Sequence, residues 1–129
     1  MPAAMPERLI VFTRFPEAGK TKTRLIPALG AKGAARLQRQ MTEHIIATAA
    51  QVSNRPGLTI EVYHDGGDTG LMQEWLGPQF DYRPQQPGDL GRRMARAFAA
   101  AFQDSKRAAV IVGSDIPKIS ADIIQQAFE

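Results

Sequence analysis

Residues 8–25 read RLIVFTRFPEAGKTKTRL, and the junction inside this stretch decides how the chain is organised. Arg8 to Thr13 is a continuous β-branched and aromatic run, the pattern of a strand buried on both faces and therefore central in its sheet. Cations follow at once, with Arg14, Lys20, Lys22 and Arg24 interleaved among Thr13, Gly19, Thr21 and Thr23. That composition can wrap phosphate oxygens with charge-assisted hydrogen bonds. Open α/β sheets bind ligands outside the carboxyl ends of their strands, which is where this loop emerges. A solvated basic loop is the competing reading of the same charges.

Working outward, residues 31–52 place Leu37, Met41, Ile45, Ala49 and Val52 at spacings of three or four, which predicts an amphipathic helix ended by Asn54-Arg55-Pro56-Gly57. Leu58 to Tyr63 alternates as a half-exposed strand and runs into a tight loop at His64 to Asp68. A short helix from Thr69 to Leu76, a short strand from Phe80 to Arg83, and a helix with the stripe Leu90, Met94, Ala97, Phe98, Ala101 and Phe102 come next. Ala108 to Val112 is a second buried strand, and Ser120 caps a last helix carrying Ile123, Ile124, Ala127 and Phe128. The order β-α-β-α-β-α-β-α predicts an α/β fold, a mostly parallel sheet with helices on both faces.

The 129 residues, 43% of them hydrophobic, suffice for one core. No apolar run approaches the roughly 20 residues of a membrane-spanning helix, and the first residues lack the pattern of a cleaved signal peptide. With no cysteine, disulfides and thiolate zinc sites are excluded, which fits a cytoplasmic location. With only two histidines, oxygen ligands must carry any metal. The net charge of +3 is unevenly spread: residues 1–57 hold nine Lys or Arg against three Glu, 9 − 3 = +6, and residues 58–129 hold seven against ten, 7 − 10 = −3. The amino-terminal half is prepared for anions. Its cations gather in one strand-end loop without a helix-turn-helix pattern or aromatic platform, so specific nucleic-acid binding is not expected.

Two further loops have compositions suited to ligands. Gln85-Gln86-Pro87-Gly88-Asp89-Leu90-Gly91 leads straight into a helix. Gln amides can pair with a base edge, and Gly88 and Gly91 allow close backbone approach. The plainer reading has Asp89 capping the helix. Val112 to Pro117 ends a buried strand with Asp115, where a carboxylate can coordinate Mg²⁺ or Mn²⁺ bridging a diphosphate, or simply cap a turn. Gly19-Lys20-Thr21 invites a P-loop reading, but that motif needs a glycine where Arg14 stands.

With these loops in order, the chain resembles a bacterial glycosyltransferase family with the nucleotide-diphospho-sugar transferase (GT-A, Rossmann-like) fold, once labelled only as a domain of unknown function. The matching segments are FTRFPEAGKTKTRL at 12–25, QQPGDLGRRMARAF at 85–98 and IVGSDIP at 111–117. The resemblance implies that the loop around Lys20, Lys22 and Arg24, with Thr13, Arg14, Gly19 and Thr23, holds nucleotide phosphates. It implies further that Gln86, Gly88, Asp89 and Gly91 lie beside the nucleoside, and that Asp115 is the metal-binding Asp. The expected ligands are then a nucleoside diphosphate sugar and Mg²⁺ or Mn²⁺. More distantly, the chain is similar to nucleotidyltransferases that release pyrophosphate from an NTP, and a non-catalytic nucleotide-binding module is a third reading. Family members continue into a further strand and an acidic segment on the acceptor side. Residues 1–129 therefore read as one nucleotide-sugar-binding domain forming the amino-terminal portion of a longer one, apparently truncated at its carboxyl end.

Overall fold

The computed structural model describes residues 6–115 and 119–129. Strands β1 (Glu7–Arg14), β2 (Leu58–Asp65), β3 (Asp81–Pro84) and β4 (Ala108–Gly113) alternate with helices α1 (Ile26–Gln51), α2 (Thr69–Leu76), α3 (Leu90–Gln103) and α4 (Ala121–Ala127). Every strand pair is parallel, and the order across the sheet is β3-β2-β1-β4. The expected α/β class is what the chain adopts. β1 lies at the centre, buried from Glu7 to Thr13.

Strand order dictates which face each helix covers. The chain steps outward from β1 to β2 to β3, then returns past β1 to reach β4, and right-handed crossovers must change faces when the direction reverses. On the first face Leu9, Val11 and Val62 meet Ile45 and Ala49 of α1, Met72 and Leu76 of α2, and Ile124 of α4. On the second, Ile10, Phe12 and Tyr63 meet Met94 and Ala97 of α3. Full burial of a side chain such as Leu9 or Ile45, at 0% and 1% exposed, stabilises by roughly 1.5–3 kcal/mol. The reversal also opens a crevice between the carboxyl ends of β1 and β4, the switch point at which such sheets bind ligands.

Several expectations need correction. The first helix begins at Ile26, five residues early, but Gly30 breaks it at φ 72°, ψ 164°, so regular helix does start at residue 31. Its buried stripe runs through Ala34, Gln38, Thr42, Ile45, Ile46 and Ala49; Leu37 and Met41 are only half-buried. The stripe is rotated because polar Gln38 and Thr42 face the sheet beneath the crevice. β2 continues through His64 and Asp65, which were expected in a loop, because both pair in register with the end of β1. Leu90 and Phe102 of α3 and Ile123 of α4 are exposed, since a single helix covering the second face buries only the narrow side carrying Ala97 and Ala101.

Candidate functional site

A cavity of about 840 Å³ fills the switch-point crevice. Its near wall is the basic loop after β1. Thr21, fully buried, accepts from the Glu17 amide at 3.1 Å and donates to the Phe15 carbonyl at 3.0 Å, folding the loop back over the strand end. Gly19 (φ 86°) takes a left-handed conformation with open space where a side chain would begin. Lys22 adopts the left-handed region as well (φ 50°, ψ 48°), sparsely populated for a residue with a Cβ and of a kind concentrated at ligand sites. It initiates a 3-10 turn over Thr23–Leu25. That turn presents Thr23 and Arg24 to the cavity beside Arg14 and Lys22. Lys20 and Gly19 do not line it; the Lys20 ammonium pairs with Glu17 at 3.3 Å and is 75% exposed.

The floor is a buried polar network that sequence reasoning missed. Gln38 Nε2 donates to Thr42 Oγ1 at 2.9 Å, to Ser114 Oγ at 3.2 Å and to Thr13 Oγ1 at 3.3 Å, while the two threonine hydroxyls lie 2.6 Å apart. It joins the ends of β1 and β4 to α1, so the position of Ser114 and the adjacent Asp115 is set from beneath. Gln38 and Thr42 stand four apart on one helix face, the only sign in the sequence that the apolar stripe gives way to polar contacts there.

The far wall comes from the ends of β2 and β3. Asp65 receives Arg14 at 2.9 Å and Arg93 at 3.3 Å. Gln85, expected to offer its amide to a base edge, is committed elsewhere. Its Nε2 donates to the carbonyls of Thr13 and Tyr63, both at 3.1 Å, and its Oε1 accepts from Arg93 at 3.0 Å. It is a brace across β1 and β2. Gly88 (φ 126°) lines the cavity, where its lack of a side chain brings backbone to the ligand space. Asp89 caps α3, accepting from the Arg92 amide at 2.8 Å, and Gly91 lies in the first turn; neither lines the cavity. Gln86 lines a separate cavity between β3 and α3. His64 is buried, and its Nδ1 donates to the Gly66 carbonyl at 2.9 Å.

Asp115 follows β4 and reaches the cavity with its side chain 69% exposed, Oδ1 lying 2.6 Å from Lys22 Nζ. Pro117, at the end of the Val112–Pro117 segment, lies outside the described residues. Among those described, no three His, Cys, Asp or Glu side chains gather where a metal could bind. This chain would therefore offer Mg²⁺ or Mn²⁺ a single exposed carboxylate, which fits the habit of Mg²⁺ of binding through one or two carboxylates together with substrate phosphates.

Four cations, Arg14, Lys22, Arg24 and Arg93, line the cavity against two carboxylates, Asp65 and Asp115, giving 4 − 2 = +2. Arg24 makes no ion pair among the described residues. The arrangement favours an anion with several oxygens.

Comparison with known proteins agrees with this architecture. The chain superposes on the crystal structure of a "putative nucleotide-diphospho-sugar transferase" from Desulfovibrio desulfuricans G20 with a TM-score of 0.84 and 33% sequence identity, covering 95% of this chain and 53% of that one. The fold expected from the sequence is thus the one this chain shares, and the chain spans about half the length of that protein. No curated protein matches, and no helix among the described residues is long and apolar enough to cross a membrane. Residues 48–129, more than half the chain, match the family described as "Uncharacterized protein conserved in bacteria (DUF2064)", and the chain belongs to that family.

Proposed function

We propose that this chain is the donor-binding portion of a metal-dependent glycosyltransferase acting on a nucleoside diphosphate sugar. The observation that carries the reading is the switch-point cavity with its surplus of cations and a strand-end carboxylate, Asp115, at its edge. Likeness to a protein described as a nucleotide-diphospho-sugar transferase supports it. Lys22, Thr23 and Arg24 hold the diphosphate, and Arg14 and Arg93 keep the Asp65 wall in place beside it. Asp115 would hold a divalent cation, which would supply charge neutralisation for the departing diphosphate. Lys22 and Arg24 add fixed positive charge where negative charge develops, and fixed charge costs no reorganisation as the reaction proceeds.

Calorimetric titration with nucleoside diphosphates and Mn²⁺ tests the assignment. In Lys22→Ala/Arg24→Ala the affinity falls by about 2–4 kcal/mol, from roughly 1.5–3 kcal/mol per charged hydrogen bond with incomplete additivity. Unchanged affinity in a folded double variant removes the loop from the site. Release of pyrophosphate from an NTP by the protein, in place of nucleoside diphosphate from a sugar nucleotide, replaces glycosyl transfer with nucleotidyl transfer.

A further inference from the structure

The second cavity, about 530 Å³, lies between β3 and α3 on the face of the sheet opposite α1, and of the residues assigned to the donor site only Arg93 reaches it. Arg83, Arg93 and Arg96 line it, and no carboxylate does. Each guanidinium is anchored from behind. Arg83 Nε lies 3.2 Å from the buried Glu61 carboxylate, Arg96 Nη1 donates to the Pro87 carbonyl at 2.5 Å, and Arg93 uses Nε on Gly88 and Nη1 on Asp65 and Gln85. Arg93 Nη2, Arg96 Nε and Nη2, and both terminal nitrogens of Arg83 make no hydrogen bond among the described residues. These are spare charged donors, and because Arg93 is held by hydrogen bonds to Gly88, Asp65 and Gln85, a ligand meets less of the entropy cost of ordering that side chain.

We propose that this cavity is a ligand site for the phosphoryl group of a small phosphorylated metabolite. Glu61 and Asp65 pair with Arg83 and Arg93 from outside the cavity, and the donors turned into it face no acid; three such guanidinium groups match a phosphate dianion, whose three terminal oxygens accept forked N–H pairs, better than a monovalent carboxylate. The volume exceeds that of a bare phosphate. Gln86 adds a polar side chain to the lining, and Pro84, Ala100 and Tyr63 complete it and give the organic remainder apolar surface. The site is independent of the donor reading, although Arg93 lines both cavities.

Titration calorimetry with glucose 6-phosphate and with inorganic phosphate tests the site in three proteins: wild type, Lys22→Ala/Arg24→Ala, and Arg83→Gln/Arg96→Gln. Glucose 6-phosphate binds the first two alike and binds the third about tenfold or more weakly, the scale of losing charged hydrogen bonds. Nucleoside diphosphate affinity follows the opposite pattern, falling only in Lys22→Ala/Arg24→Ala, so failure of one site is distinguishable from failure of the other. Should loss of the Arg83–Glu61 pair unfold the double variant, Arg96→Gln alone serves, because that side chain's hydrogen bond is to a backbone carbonyl. Weaker binding of inorganic phosphate identifies the organic part as recognised, and equal binding identifies free phosphate; both support a phosphoryl site. Glucose 6-phosphate and phosphate binding unaffected by the Arg83 and Arg96 substitutions, or no binding to wild type at millimolar concentration, overturns the proposal.

Discussion

Asp115 and Lys22 show how much a single carboxylate is asked to do. In the structure they form an ion pair of 2.6 Å at the mouth of the donor cavity. Asp115→Asn keeps the shape and removes the charge, so Mn²⁺ should no longer strengthen nucleoside diphosphate binding. Titrations with Mn²⁺ and with chelator check this, and a metal effect that survives in the variant returns Asp115 to a turn-capping role. The neighbouring cations differ sharply in consequence. Lys20 is 75% exposed and pairs with Glu17, so Lys20→Ala is expected to change nucleotide affinity by less than about 0.5 kcal/mol, against the larger loss at Lys22 and Arg24. Composition made these cations equivalent. The left-handed backbone at Lys22 separated them, turning one side chain into the cavity.

Among the elements, α3 depends most visibly on one residue at its start. Asp89 accepts from the Arg92 amide at 2.8 Å, satisfying a donor that the helix leaves open. Asp89→Ala should cost about 0.5–2 kcal/mol, and Asp89→Asn little, because Asn caps equally well. Thermal melting compares the two, and equal stability of the Ala and Asn variants would contradict a capping role. Sequence reading carried both roles for this residue, cap and nucleotide contact, because Asp before a helix suits either. Only the direction of its side chain shows that it caps α3. Similarly α1 was legible as amphipathic from Ile45 onward, but its first half turns Gln38 and Thr42 inward, and no periodicity of apolar residues could report that.

For the molecule as a whole, burial makes stability depend on alkaline pH. Tyr63 and Tyr82 are both pushed up to about 12, chiefly by burial; a hydrogen bond with Glu61 adds to the effect at Tyr63. Tyr82 also donates to the Gly77 carbonyl at 2.5 Å. The folded state holds these protons more tightly than the unfolded chain, whose tyrosines titrate near 10. Their contribution is therefore present below about pH 10 and is lost as pH rises from there towards 12. Melting temperatures taken across this range should fall, and Tyr82→Phe should flatten part of the fall. A profile identical in wild type and Tyr82→Phe would show that Tyr82 is not responsible.

Sequence alone determined the alternation of strand and helix, the central place of Arg8 to Thr13, the limits of α2 between Asp68 and Gly77, and the clustering of cations after the first strand. These follow from local properties: β-branched runs, helical spacing, capping residues and Gly-Pro breaks act over a few residues and leave their mark there. Tertiary structure decided what lies far apart in the chain. It returned the chain past β1 to β4, bringing Lys22 to Asp115 and Arg14 to Asp65 across 93 and 51 residues. It spent the Gln85 amide on backbone carbonyls, moved Gln86 to another cavity, and set Arg83, Arg93 and Arg96 around one space. Which donor finds which acceptor is settled by strand order and crossover handedness, and these exist only once the whole sheet has formed.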